Sequence, residues 1–288
     1  MNIDRTATLT FDQDLMAPDL DRRFGGLARL YGAAGAERIR AAHIVVVGLG
    51  GVGSWAAEAA ARSGVARLTL IDLDHITESN INRQVHALDS TLGQSKVQAM
   101  RERIAQINPG CRVDCIEEFV STENWPNLFL PDMQFARRQL AVIDACDQVK
   151  AKTAMAAWAI QNRISLISVG AAGGKRLAHC VDIDDLSMVT HDPLLAQMRY
   201  RLRKEHGVSR SGKMGAMCVF SREPVMQPSV KDALTECVTN TEELAPQQVA
   251  VSPQRDGSLN CHGYGSVVSV TSTFGMCAAS WALNKIAD

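Results

Sequence analysis

The chain has 288 residues, 46% of them hydrophobic and 21% charged, which excludes global disorder and leaves room for one large core or two modest ones. With 30 Lys+Arg against 31 Asp+Glu, the formal net charge is −1, so any nucleic-acid partner must be held by a local patch. The 8 cysteines, at 111, 115, 146, 180, 218, 237, 261 and 277, are too sparse for a disulfide scaffold and form no C-x-x-C, so a reducing compartment and no zinc site are expected.

Residues 1–20 mix acids and hydroxyls through their apolar positions, and no signal peptide is expected; the location predicted is cytoplasmic. Residues 43–48 (HIVVVG) form a short β-branched run that breaks into glycines before the alanine-rich stretch 54–62, which predicts strand, tight turn, helix. Strand-like runs follow at 66–72, 112–119, 139–144 and 165–170, with helical stretches at 94–107 and 149–163. The alternation predicts an α/β fold of Rossmann-like, doubly wound type with a mainly parallel sheet. Beyond Gly170 the rhythm changes to a strand at 177–183, a charged helix at about 193–206 and a Pro-containing long loop at 222–260. The predicted organisation is an N-terminal lead (1–22), a nucleotide-binding portion (23–175) and an additional C-terminal portion of mixed strands, loop and helix (176–288), the last two as one continuous unit.

From Gly257 to Asn284 no Asp, Glu, Lys or Arg occurs. Its length would suit a membrane span, but its many serines and threonines make a poor lipid-facing surface. A buried or dimer-interface helix is expected there, with peripheral membrane association as the alternative.

Gly48, Gly50, Gly51 and Gly53 satisfy G-x-G-x-x-G between a strand and a helix, and Asp72 ends the next strand. Glycine lets backbone N–H groups and a helix N-terminus approach a phosphate, and the carboxylate accepts from ribose hydroxyls. NAD, FAD and ATP all exploit such a turn. Asp74, Asn80, Arg83, Gln84 and Lys96 follow, and the two cations favour a triphosphate under attack, where charge builds on the oxygens, over a hydride carrier.

In the order GLGGVG, IDLD, SNINRQ, GQSK and VIDACD, these motifs resemble the ubiquitin-activating-enzyme superfamily. The resemblance implies that the glycines, Asp72, Asp74, Asn80, Arg83, Gln84 and Lys96 bind ATP, that Arg83 and Lys96 neutralise its phosphates, and that Asp144 lies near the reacting phosphate through Mg²⁺. RFGGLARLYG, RQVHALDSTLGQSK, VGAAGG, DPL before an arginine-rich helix, and CVFSRE are similar to one branch, the tRNA threonylcarbamoyladenosine dehydratases. That branch implies a tRNA substrate, carboxylate adenylation followed by cyclisation, and a sulfur-transfer partner such as a cysteine desulfurase or its acceptor. The rival branch activates the C-terminal glycine of ubiquitin-like sulfur carriers. It resembles R-Y-x-R-Q where this chain has Arg23-Phe24-Gly25-Gly26-Leu27, and it carries C-x-x-C pairs absent here.

Cys261 lies in the region of the superfamily's mobile cysteine, so a reactive thiol is weighed there against a packed, inert one. Arg199, Arg201, Arg203, Lys204, Arg210 and Lys213 stand against a single acid, Glu205, a local run expected to meet tRNA phosphates. Closed two-fold pairs being the commonest oligomers, a homodimer is expected.

Overall fold

The computed structural model describes residues 18–128, 137–226 and 264–288. Its centre is β1 (His43–Val47), five residues buried on both faces, as a β-branched run in a parallel sheet must be. The strand β2 (Arg67–Ile71), then β3 (Arg112–Ile116), β4 (Leu140–Asp144), β5 (Ser165–Val169), β6 (Val181–Asp185) and β7 (Met217–Ser221) complete one sheet in the order β3-β2-β1-β4-β5-β7-β6. All neighbours run parallel except β6 and β7. The sheet continues without a break past residue 175.

Alternation along β1 sends its side chains to two cores. Ile44 and Val46 join α2 (Gly26–Arg40), α3 (Gly53–Arg62), α4 (Lys96–Ile107) and the C-terminal helix α7 (Val268–Ala287). Val45 and Val47 join α5 (Val149–Asn162) and α6 (Pro193–Glu205) on the other face. A five-residue helix, α1 (Leu20–Phe24), precedes α2.

The uncharged C-terminal run is therefore core, with Val270, Phe274, Ala278, Ala279, Ala282 and Ile286 buried against α3 and the sheet. Gly275 lets α7 approach so closely that a Cβ there would stand 2.4 Å from the carbonyl oxygen of Val52. The helix is thus buried, as the sequence reading expects, and the alternative of peripheral membrane association gains no support; among the described residues no helix is long and apolar enough to cross a membrane.

The strand expected at 177–183 starts later, because Ala178–Cys180 form a 3₁₀ turn and β6 begins at Val181. β7 was not expected as a strand; it enters the sheet between β5 and β6.

Candidate functional site: a nucleotide cavity at the switch point

β1 has β2 on one side and β4 on the other, so chain order reverses there and a crevice opens beyond the carboxyl ends of the strands. A cavity of about 620 Å³ occupies it. The structure brings Gly48, Gly50, Gly51, Asp72, Asp74, Asn80, Arg83, Gln84 and Lys96 to its wall, nine of the residues singled out from sequence.

The glycine turn delivers α3 to this crevice. A Cβ at Gly53 would lie 1.8 Å from the carbonyl oxygen of Gly48, so only glycine allows helix and strand to pack this tightly. Gly50 meets nothing within 4 Å and leaves the cavity side open. No side chain caps α3 and no acid sits in its first turn, so the positive end of the helix is left open behind the Gly50–Val52 turn that lines the space.

Asp72 stiffens the turn from the next strand. Its Oδ2 accepts from the Leu49 N–H at 2.5 Å and its Oδ1 from the Asp74 N–H at 2.9 Å. Burial pushes this carboxyl up, against the pull of Lys96 and those two donors. Lys96, the first residue of α4, is 7% exposed, and its Nζ reaches Asp74 Oδ2 at 2.7 Å. Asp74, 54% exposed, thus aims the ammonium at the cavity and meets solvent itself. Arg83 is held through Nη1 by the carbonyl of Ser79 at 2.6 Å and Asn82 Oδ1 at 3.0 Å. Its own carbonyl accepts from Trp55 Nε1 at 2.9 Å, which ties it to α3. Asn80 Oδ1 accepts from the Thr77 N–H at 3.2 Å. The carbonyl oxygen of the Gln84 side chain is buried in the wall without a partner among the described residues.

Behind this wall lies His86, 2% exposed, with neither ring nitrogen partnered among the described residues. Burial, then the charges of Lys96 and Arg103, lower its pKa from 6.5 to about 4. The unfolded chain therefore binds a proton between those values that the folded chain does not, and stability rises with pH across that window. From pH 6.5 down to 4 we expect a loss of about 3 kcal/mol from this residue alone. Urea midpoints of His86→Phe should lack that component; a slope unchanged by the substitution refutes the assignment.

Asp144 requires a correction. It is the last residue of β4, flanked by β1 and β5, and is completely buried. Its Oδ1 pairs with Lys152 Nζ at 2.9 Å and its Oδ2 accepts from Ser168 Oγ at 2.8 Å, so it forms no part of the cavity wall and has no free face for a phosphate or metal. Three residues on, Asp147 has left the ladder, is exposed, and lines the cavity. Gly53 also lies outside the wall, because its role is the packing described above.

The far wall is Gly170, Ala171, Ala172 and Gly173 after β5. Asp192 holds it by accepting from the Ala171 N–H at 2.8 Å while capping α6 through the Leu195 N–H at 2.9 Å. Lys175, 1% exposed, donates to the carbonyls of Glu223 at 2.8 Å and His191 at 3.2 Å. The Glu223 carboxylate takes the N–H groups of Arg176 and Leu177. VGAAGG and CVFSRE are thus two halves of one latch, a role invisible in either motif alone.

Of the basic run, Arg199 is spent internally on the carbonyls of Leu186 and Val189, at 3.0 and 2.8 Å. Arg201 pairs with Glu205 at 2.9 Å. Arg203 is half-buried, and Lys204, Arg210 and Lys213 are exposed. Cys146 and Cys218 are packing thiols raised by burial. Cys261 lies outside the described residues.

A doubly wound sheet, a glycine turn feeding an uncapped helix, a carboxylate at the end of the next strand and two cations across the cavity define a nucleotide-binding α/β protein built to engage phosphates. The chain belongs to the ThiF family, whose model matches residues 22–288. It is 41% identical over 268 residues to the tRNA threonylcarbamoyladenosine dehydratase of Escherichia coli K12, covering 92% of this chain and 93% of that one. The Haemophilus influenzae protein of the same name is 38% identical, covering 92% and 94%. The crystal structure of the E. coli enzyme, TcdA, in complex with ATP superposes with a TM-score of 0.76 at 38% identity, over 94% of this chain and 96% of that one. A complex of the same enzyme with AMP matches at a TM-score of 0.76.

Proposed function

We propose that this protein is an ATP-dependent tRNA threonylcarbamoyladenosine dehydratase. The observation that carries the reading is the cavity itself, in which Lys96 and Arg83 line the wall with the glycine turn ahead of the uncapped α3, in a chain that matches the E. coli and H. influenzae dehydratases over nearly their whole length. The relative's complexes with ATP and AMP fit a reaction that consumes one and releases the other. A molybdopterin-synthase adenylyltransferase of Salmonella typhimurium, by contrast, aligns with only 48% of the chain. That leaves the sulfur-carrier reading, and a redox reading of the same fold, without comparable support.

The threonyl carboxylate on the tRNA adenosine is unreactive because its oxygen is a poor leaving group. Attack of that carboxylate on the α-phosphate expels pyrophosphate and gives an acyl adenylate. The neighbouring carbamoyl group then closes on the acyl carbon, AMP leaves with the original carboxylate oxygen, and the tRNA has lost one water in net terms. No protein nucleophile is required, since the second reactant is tethered. The N–H groups of α3 and the charges of Arg83 and Lys96 hold the phosphates as charge develops; Asp72 takes the ribose hydroxyls, and Asn80 and Gln84 shape the wall beside it.

Among the described residues no three His, Cys, Asp or Glu side chains converge to cage a metal. Mg²⁺ needs no such cage when phosphates supply ligands, and of the exposed cavity carboxylates Asp74, Glu118 and Asp147, Asp74 is already paired with Lys96 while Asp147 stands at the carboxyl end of the central strands, where it fits the ion. When bound there, the ion would supply further neutralisation of phosphate charge. A cytoplasmic homodimer completes the proposal, and light scattering on the purified protein tests the stoichiometry. Incubation with ATP, Mg²⁺ and threonylcarbamoyladenosine-containing tRNA should yield a nucleoside lighter by one water; an unchanged nucleoside with ATP intact sinks the reading.

Exposed Lys204, Arg210 and Lys213 are proposed to meet tRNA phosphates. Changing all three to serine should weaken tRNA binding and lower the slope of log K against log salt by roughly 2, as expected for about three lost phosphate contacts, while ATP affinity holds. A salt slope equal to the parent's refutes the patch.

A further inference from the structure

A second cavity, of about 480 Å³, is lined from segments that also reach the nucleotide cavity, although the two share no lining residue. One segment serves both: Glu118, Phe119 and Val120 line the nucleotide cavity, and Thr122 and Trp125 line the other. The start of α5 divides the same way, with Gln148 on the first cavity and Lys150 on the second. From Lys150 the groove follows one face of α5 through the small residues Ala154 and Ala157 to Trp158 and Gln161, the spacing of a single helical stripe. Arg201 and Glu205 of α6 close the far side.

The chemistry of this groove is specific. Trp158 is half-buried, and its ring meets that of buried Trp125 edge to face, with centroids 5.5 Å apart and an interplanar angle of 86°. Trp125 thereby holds Trp158 as a fixed aromatic wall over a floor too small to fill the space. Lys150 is exposed at the end nearest the nucleotide cavity, and the Arg201–Glu205 pair offers a cation and an acceptor side by side. A flat aromatic wall, a cation for a phosphate and paired donor and acceptor groups suit a nucleotide of a single-stranded RNA loop, whose bases are splayed onto aromatic side chains.

We propose that this groove binds the nucleotide adjacent to the reacting adenosine in the tRNA, its base against Trp158 and its phosphate on Lys150, and so feeds the modified base into the neighbouring cavity. The inference rests on the tRNA reading of the first cavity and assigns the second to the same strand. The same helix spans both places, with Pro193 and Leu194 at its start on the nucleotide cavity and Arg201 and Glu205 near its end on the groove.

The test uses the full-length protein and an anticodon stem-loop carrying threonylcarbamoyladenosine, with an abasic residue placed in turn on each side of it. One abasic substitution should weaken binding to the parent by roughly 5- to 150-fold. Trp158→Leu should weaken binding of the intact stem-loop by a similar factor and lose nothing further with that abasic loop, since both remove one interaction. Lys150→Glu, at an exposed position, provides a variant whose folding is not in question and should also weaken the intact loop. Both variants should bind ATP as the parent does. Additive losses, no loss at either flank, or a Trp158→Leu variant that binds the intact loop normally overturns the assignment. Failure of the parent to bind the intact stem-loop overturns the substrate reading beneath it, and this one with it.

Discussion

Replacing Lys96 with methionine should lower the rate of ATP-dependent pyrophosphate formation by roughly 10²–10³, equivalent to about 3–4 kcal/mol of transition-state stabilisation, and leave the fold almost unchanged. The two effects separate because the two ends of the ion pair differ in exposure. Lys96 is 7% exposed and aimed into the cavity, so its charge acts on phosphate where little water screens it. Asp74 is 54% exposed, recovers its hydration when the lysine goes, and the pair contributes at most about 1 kcal/mol to stability. Arg83→Ala should follow with a smaller loss, because Arg83 is less buried than Lys96 and water screens its charge more. Arg83→Lys should not restore it, since the guanidinium meets Ser79 and Asn82 through Nη1 and presents Nε and Nη2 as a separate planar fork, whereas lysine carries all its donors on one nitrogen. Pyrophosphate release measured beside urea midpoints decides the matter. Near-parent rates in both Lys96→Met and Arg83→Ala end the phosphate assignment, whereas a collapse of stability in step with activity would reassign Lys96 to structure.

What could be read in advance followed burial. The strands β1, β2, β4 and β5 announce themselves because strands covered on both faces are dense in Val, Ile and Leu and end at glycine or an acid, even where Thr69 or Ser168 interrupts the run. β7, Met-Cys-Val-Phe-Ser, shares that burial but lacks β-branched density and follows the polar stretch Ser209 to Lys213, so nothing marked it. β6 is an antiparallel edge strand, and the Val181 and Ile183 alternation was extended backwards through Leu177 because no residue type announces a 3₁₀ turn. α2 stayed hidden, since Gly26, Gly32 and Gly35 interrupt its period and Gly32 takes φ 72° inside it.

The same logic explains the site. Glycines, cations and amides of the first crossover are local in sequence and local in space, so Gly48 to Lys96 could be assembled from spacing. The third acid could not. Asp144 and Asp147 stand three apart in VIDACDQ, and only the point where β4 leaves the sheet decides which of them reaches the cavity wall. The second cavity was out of reach for a related reason: Trp125, Trp158 and Arg201 come from three separate segments, and no sequence period joins them.

Lys152→Met should destabilise the protein by about 3–5 kcal/mol, because it strands the Asp144 carboxylate in the interior. Both side chains are 0% exposed, with Lys152 Nζ 2.9 Å from Asp144 Oδ1 and 3.2 Å from the Asp144 carbonyl oxygen. Burial is the largest single influence and disfavours the charged amine, but the charge and hydrogen bond of Asp144, joined by Cys146 and Cys218, together outweigh it and raise Lys152 above the usual lysine range. A pKa raised on folding means that the contribution of the pair is complete at neutral pH and fades as pH climbs past about 10.5, the unfolded value. Parent and variant urea midpoints should therefore differ most near neutrality and draw together in alkali. Adding Asp144→Leu to Lys152→Met should recover part of the loss by removing the orphaned charge, though not all, since Ser168 and the Cys146 thiol then lose their acceptor. If the double variant is no more stable than Lys152→Met alone, the cost lies in repacking around the missing ammonium and the buried pair is not the keystone of the β4–α5 turn that carries Asp147 to the cavity.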